Sequence, residues 1–188
     1  MSETTLLPLS IEPQEIVYQD RNQRIQRILA RFDGFSKEYF VSDHGQRAAV
    51  MAVRNGEVLL VRQYRLLING LSYEIPGGRI GENETPEAAA VRECLEETGI
   101  QCLDLKPLIN YHLSLDIWKN YTYVFYTEEC EEISDGYSGQ RVWIPLERCV
   151  KMIFAQQIVD SLSIVALLAY YTRTFVKQSA ISFDVGGS

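Results

Sequence analysis

The chain has 188 residues, 46% apolar and 23% charged, a composition that suits a soluble globular protein with one substantial core. Its net charge of −7 argues against general nucleic-acid binding, which calls for a basic surface, and no apolar run reaches membrane-spanning length. Cys94, Cys102, Cys130 and Cys149 show neither a CxxC pair nor zinc-like spacing and are expected as free thiols in a reducing, cytoplasmic setting, and the opening Met-Ser-Glu-Thr-Thr has no feature of a secretion signal.

In chain order, residues 1–12 are polar and irregular, and Gln14–Asp20 is a candidate first strand. Ile25, Ile28, Leu29 and Phe32 have helical spacing, yet Asp33-Gly34 follows as a hairpin signal before a strand-like Glu38–Val41. Ala48–Val53 and Val58–Gln63 are apolar strands joined by Asn55-Gly56, a type I′ turn pair. A loop with Asn69-Gly70 leads to a short strand, Leu71–Ile75, and Pro76-Gly77-Gly78 then turns the chain sharply.

Thr85 suits an N-cap, Pro86 the first helical position, and Gly99 a left-handed helix end, so a helix is predicted over Pro86–Thr98. Beyond it come a strand over Cys102–Tyr111, a strand over Tyr121–Thr127, an acidic loop over Glu128–Gly139 and a strand over Arg141–Ile144. A short helix from Pro145 to about Ile153 precedes a last helix over Ile158–Phe175, with Leu162, Val165, Leu168 and Ala169 at core spacing. A disordered tail is expected over 178–188. Strands with helices between and after them predict an α/β/α sandwich.

On the 86–98 helix, Glu93, Glu96 and Glu97 fall on one face, where like charges repel by roughly 0.2–0.5 kcal/mol per pair. A solvated acidic face is the plain reading. A hard divalent cation such as Mg²⁺ offers a better one, because it takes carboxylate oxygens together with substrate phosphates. Arg92, four residues before Glu96, can orient one carboxylate while others face the metal.

Gly78, Glu84, Arg92, Glu93, Cys94, Glu96, Glu97, Gly99 and Ile100 together resemble the Nudix box at every fixed position. A chance match at a given start is on the order of one in a billion with average residue usage. The resemblance implies a Nudix hydrolase of α/β class: a Nudix-type α/β/α sandwich with a mixed sheet, preceded by a small N-terminal β-sheet extension. It implies that 1–45 form that extension, a candidate dimerisation element of a homodimer, and that 46–177 form the hydrolase domain. Strands, rather than a helix, are then expected over 24–32.

The same resemblance implies that water attacks a diphosphate, assisted by Mg²⁺ or Mn²⁺ held by Glu93, Glu96, Glu97 and the Gly77 carbonyl. Arg92 would keep the glutamates in register, Glu84 would brace loop and helix, and Glu96 or Glu97 would serve as catalytic carboxylate. Val61-Arg62-Gln63-Tyr64-Arg65 and Tyr73-Glu74-Ile75-Pro76-Gly77-Gly78 resemble segments of the ADP-ribose and nucleoside-diphosphate-sugar hydrolases. There the final Arg reaches substrate phosphates, which makes Arg65 and Glu74 candidate substrate-binding residues. The implied substrate is ADP-ribose, cleaved to AMP and ribose 5-phosphate, with a GDP- or UDP-hexose as the alternative and a non-hydrolytic nucleotide sensor as a third reading.

The chain departs from that pattern at His112–Trp118, where many relatives carry Pro-Gly followed by an acid; here Asp116 preserves an acid without the turn. Glu131, Glu132 and Asp135 are alternative candidates for the catalytic base, and His44 and His112 are weaker ones. Trp118, the aromatics of 121–126, Tyr39 and Phe40 are candidates for stacking a nucleobase, with core packing the competing role.

Overall fold

The computed structural model describes residues 7–133 and 141–183, with side chains of the last helix to Phe175. Two compact units divide it. One holds the described residues up to Gln46 together with His112–Tyr121; the other holds Arg47–Tyr111 and the described residues from Thr122 onward.

The first unit is a sheet of four strands. β1 (Ser10–Gln19), β2 (Arg24–Phe32) and β3 (Phe35–Asp43) form an antiparallel meander, and the two-residue β10 (Trp118–Lys119) adds to β3 in parallel. The 24–32 segment is therefore a strand despite its helical spacing. Gly34 adopts φ 83° in the turn after it, a conformation open to glycine, and Phe32 stacks on Phe35 across the hairpin at 4.7 Å. β1 begins at Ser10, inside the stretch expected to be irregular.

The second unit is built on β4 (Arg47–Arg54) and β5 (Glu57–Arg65). Their hairpin turn has Asn55 and Gly56 both at positive φ, and Val53 pairs with Val58 as the type I′ geometry requires. β6 (Gly70–Glu74) pairs with β5, and β7 (Gly77–Arg79) with β4. β9 (Lys106–His112), β11 (Tyr121–Thr127) and β13 (Arg141–Pro145) complete a mixed seven-stranded sheet, in which β11 runs parallel to β4.

The period of two along β4 sorts its side chains between two cores. Ala49, Met51 and Val53 pack with α2 (Leu146–Phe154) and α3 (Ser161–Phe183), while Ala48, Val50 and Ala52 pack with α1 (Pro86–Thr98). Leu59 and Leu60 on β5 divide the same way, each worth roughly 1.5–3 kcal/mol on burial. The second unit is thus an α/β/α sandwich with its sheet sealed on both faces.

Three expectations needed correction. The strand expected over 102–111 is two, β8 (Ile100–Leu103) and β9, because Asp104 turns to φ 43° between them. Part of the expected acidic loop is a strand, β12 (Glu129–Glu132), which pairs antiparallel with β8. Its acids pattern as loop, but Cys130 opposite Cys102 gives the ribbon an inward row. The last helix starts at Ser161, where Asp160 accepts from the Ser163 N–H, and it continues to Phe183 beyond the expected end. All four cysteines are free thiols, with Cys94 and Cys102 in contact at 3.4 Å. Among the described residues no helix is long and apolar enough to cross a membrane.

Candidate active site

Helix α1 forms where its sequence predicts. The Thr85 hydroxyl accepts from the Ala88 N–H at 3.2 Å, a cap worth about 1 kcal/mol, and Gly99 ends the helix at φ 70°. Ala89, Ala90 and Cys94 bury one side of it. The opposite side carries the charge.

Arg92 organises the outer part of that charge. Its Nε and Nη2 donate to the two carboxylate oxygens of Glu84 at 2.8 and 2.9 Å. Nη1 donates to Glu93 at 2.8 Å and to Glu96 at 3.2 Å, and Nη2 also reaches the Arg79 carbonyl. The guanidinium holds the Glu84 carboxyl down at about 2, aided by the Gly81 N–H that the same carboxylate accepts. The pinned Glu84 ties the 80s loop to the helix, the bracing role expected of it. Glu96 is 57% exposed on the outer edge of this network.

Glu97 faces inward. Its carboxylate accepts from the Gln63 side chain at 3.0 Å and from the Gly77 N–H at 3.1 Å. Burial pushes its pKa above the ordinary carboxylate value; Glu93 adds to that push, and the two donors oppose it. Glu97 therefore lies within electrostatic reach of Glu93. Gly78 makes room for this arrangement: a Cβ there would stand 2.3 Å from the Glu93 carboxyl group. Gly77 is required for a different reason, since its Cβ would stand 2.5 Å from the Ala49 Cβ and 2.7 Å from the Ala48 carbonyl oxygen. That close β4–β7 approach explains glycine, rather than alanine, at 77.

The Gly77 carbonyl accepts from Arg47 Nη2 at 3.3 Å, which leaves one lone pair. Carboxylate oxygens of Glu93 and Glu97 beside a backbone carbonyl form a hard-donor set, and a buried carboxylate next to a second one is eased by a hard divalent cation. Among the described residues, no three His, Cys, Asp or Glu side chains converge as a finished metal cage.

Arg65, at the end of β5, donates through Nε to Glu74 at 2.8 Å and through Nη2 to the other oxygen of the same carboxylate. Arg65 is 46% exposed, whereas the Glu74 side chain is 8% exposed. The hydrogen bonds that Arg65 donates to Glu74 raise the Arg65 pKa, and Asp160 and Glu97 act in the same direction, so both acids lie within electrostatic reach of Arg65. The β6–β7 link is tied down from the far side, where the Ile75 N–H donates to the buried Ser163 hydroxyl and Ser163 donates to Asp160.

The other candidates belong to other elements. Glu131 and Glu132 are on the β8–β12 ribbon, where Glu132 pairs with Arg141, and Asp135 is outside the described residues. In the first unit, His44 bonds the Ser42 hydroxyl and leans on Trp118, while His112 meets the Tyr121 ring edge-on at 4.7 Å. Phe40 and Trp118 are half-exposed on that unit, and Tyr39 lies beneath the Lys37 ammonium. Asp116 is exposed. Val124, Phe125 and Tyr126 are core residues, which favours packing over base stacking for them.

Sequence reasoning passed over Gln63, Arg47, Ser163 and Asp160. Arg47, Ser163 and Asp160 are brought to the site by strand pairing and helix docking, which no spacing rule registers.

Comparison with known proteins meets the same site. A profile of the NUDIX domain matches residues 44–158, more than half of the chain and the whole of the Glu84–Glu97 network. The chain belongs to the Nudix family. This Nudix hydrolase is 26% identical over 132 residues to the ADP-ribose pyrophosphatase of Bacillus subtilis, covering 67% of this chain and 71% of the relative. It is 24% identical over 142 residues to the ADP-ribose pyrophosphatase of Mycobacterium tuberculosis, covering 71% and 69%. A solved structure described as an ADP compounds hydrolase has the same fold, with a TM-score of 0.74 at 17% identity over 92% of this chain and 94% of the other.

Proposed function

We propose that this Nudix pyrophosphohydrolase cleaves the diphosphate of a nucleoside diphosphate sugar, with ADP-ribose preferred and AMP and ribose 5-phosphate as products. The observation that carries this reading is the half-buried Glu97 carboxylate beside Glu93, joined to the Gly77 loop and, through β5, to the Arg65–Glu74 pair. The two relatives named above act, by their names, on ADP-ribose.

In this reading Glu93, Glu97, the Gly77 carbonyl and, at the outer edge, Glu96 hold Mg²⁺, with Mn²⁺ as a substitute. The bound ion would supply charge stabilisation at the diphosphate and an acidified water. The chain's own residues do the rest. Arg92 holds Glu93 and Glu96 in fixed rotamers. Gln63 and the Gly77 N–H orient Glu97, the carboxylate placed to receive a proton from the attacking water. Arg65 keeps an Nη1 free of Glu74 and offers it to a phosphate oxygen, while Glu74 fixes the direction of the fork.

We also infer a homodimer formed through the first unit, which exposes Leu9, Ile11, Phe35 and Phe40. Sedimentation as a monomer at micromolar concentration would count against it. The four free thiols are in keeping with a cytoplasmic location.

The deciding experiment couples alkaline phosphatase to phosphate release from ADP-ribose, GDP-mannose, UDP-glucose, NADH, diadenosine polyphosphates and dNTPs, with and without Mg²⁺. Mg²⁺-dependent turnover led by ADP-ribose is expected. Turnover led by a hexose nucleotide would retain the chemistry and overturn the substrate.

A further inference from the structure

Three arginines surround the Gly77–Glu97 contact, and they differ in what they already bind. Arg92 is saturated by three carboxylates and a carbonyl. Arg65 is held two-pronged by a buried Glu74. Arg47, the first residue of β4, makes a single 3.3 Å bond to the Gly77 carbonyl. Its Nε is buried without a hydrogen-bond partner, and among the described residues it forms no ion pair.

That state is costly. A guanidinium has five N–H donors, and a half-buried one without a counter-ion gives up hydration that a lone carbonyl does not replace. The chain carries seven more acidic than basic charges, yet among the described residues no carboxylate has been brought to this arginine. Burial raises the Tyr111 pKa, Asp160 adds to that rise and Arg47 opposes it, so Tyr111 lies within electrostatic reach of both charges. The Gly77 backbone links this guanidinium to the Glu97 carboxylate, since its carbonyl accepts from Arg47 and its N–H donates to Glu97.

We propose that Arg47 is a substrate-binding residue whose guanidinium receives an oxygen of the nucleotide's diphosphate; this rests on the hydrolase reading given above. The planar fork matches phosphate oxygens, and a bound anion supplies the counter-charge that the described residues do not bring to Arg47. Arg47 and Arg65 then address the diphosphate from two strands, β4 and β5. The first comes unpaired, the second with its carboxylate guide.

The test compares the wild-type protein with Arg47→Gln and Arg47→Lys. Titration calorimetry measures binding of α,β-methylene-ADP, which cannot be cleaved at its bridge, and steady-state kinetics follow the best diphosphate of the panel. Arg47→Gln is expected to lose about 10- to 100-fold in analogue affinity, and the same in kcat/KM through KM, the scale of a charge-assisted hydrogen bond. Its melting temperature is expected not to fall, because no internal ion pair is broken. Arg47→Lys, which keeps charge without the fork, falls between. Analogue affinity within twofold of wild type in Arg47→Gln overturns the proposal, whatever the melting temperature. Should Arg47→Gln not fold, Arg47→Lys decides, and wild-type affinity there overturns it. If no diphosphate is hydrolysed but the analogue binds wild type and not Arg47→Gln, the substrate reading fails and Arg47 stands. If ADP-ribose is cleaved with unchanged constants by Arg47→Gln, the reverse holds.

Discussion

The two ends of the acidic face on α1 work under opposite conditions. At Arg92 the charges are partly exposed, paired and saturated, and Glu84 ionises far below the usual carboxylate range. One helical turn further on, Glu97 is half-buried, bonded only to neutral donors and pushed by desolvation toward its protonated form. The contrast separates scaffolding from reactivity. A carboxylate locked to an arginine fixes geometry and is a poor proton acceptor, whereas one kept short of counter-charge is ready for a metal or a proton.

The comparison breaks most sharply at Glu97. Glu97→Gln keeps the shape and removes the charge, so hydrolysis is expected to fall roughly 10³-fold or more, with an unchanged circular dichroism spectrum. Turnover near wild type at saturating Mg²⁺ would end the assignment of Glu97. Gly78→Ala tests the same end without touching a carboxylate. Its Cβ would drive the Glu93 carboxyl group aside, and a displacement of about 1 Å is expected to lower kcat on the order of 100-fold with little change in urea midpoint.

Gly77→Ala serves as the structural counterpart. Its Cβ meets Ala49 and the β4 backbone, which have no room to yield, so a loss of about 1–3 kcal/mol is expected in denaturant melts. The smallest effect is a pH dependence at the scaffolding end. Glu84 has its folded pKa depressed from 4.5 to about 2, so the stability it contributes is complete above about pH 4.5 and lost as pH falls toward 2. Glu84→Gln should therefore melt lower than wild type at pH 6, and the gap should narrow as pH is lowered from 4.5 toward 2. A gap independent of pH would show that the Arg92 contact does not depend on ionisation.

Much of this was legible without coordinates. The helix over Pro86–Thr98 and the 55–56 hairpin turn rest on capping and turn residues, whose effects are local, and they fall where expected. The Arg92–Glu96 pair is likewise a matter of helical spacing. Local signals misled where pairing overrode them. Ile25, Ile28, Leu29 and Phe32 have helical spacing but lie in β2 between two partner strands, and the acids of 129–132 read as loop until β8 claims them.

Arg65 shows the limit from the other side. Its position was marked by motif, yet its two-pronged bond to Glu74 depends on β5 and β6 lying in register, with Val61 opposite Glu74. The residue types needed for metal and phosphate chemistry, and the helix that carries most of them, are written in the order of the chain, because capping, turns and helical periodicity act over a few residues. Which carboxylate is desolvated, which arginine is left without a counter-ion among the described residues and why residue 77 must be glycine were settled only when β4, β5 and β7 came together, because burial and charge pairing depend on neighbours distant in sequence.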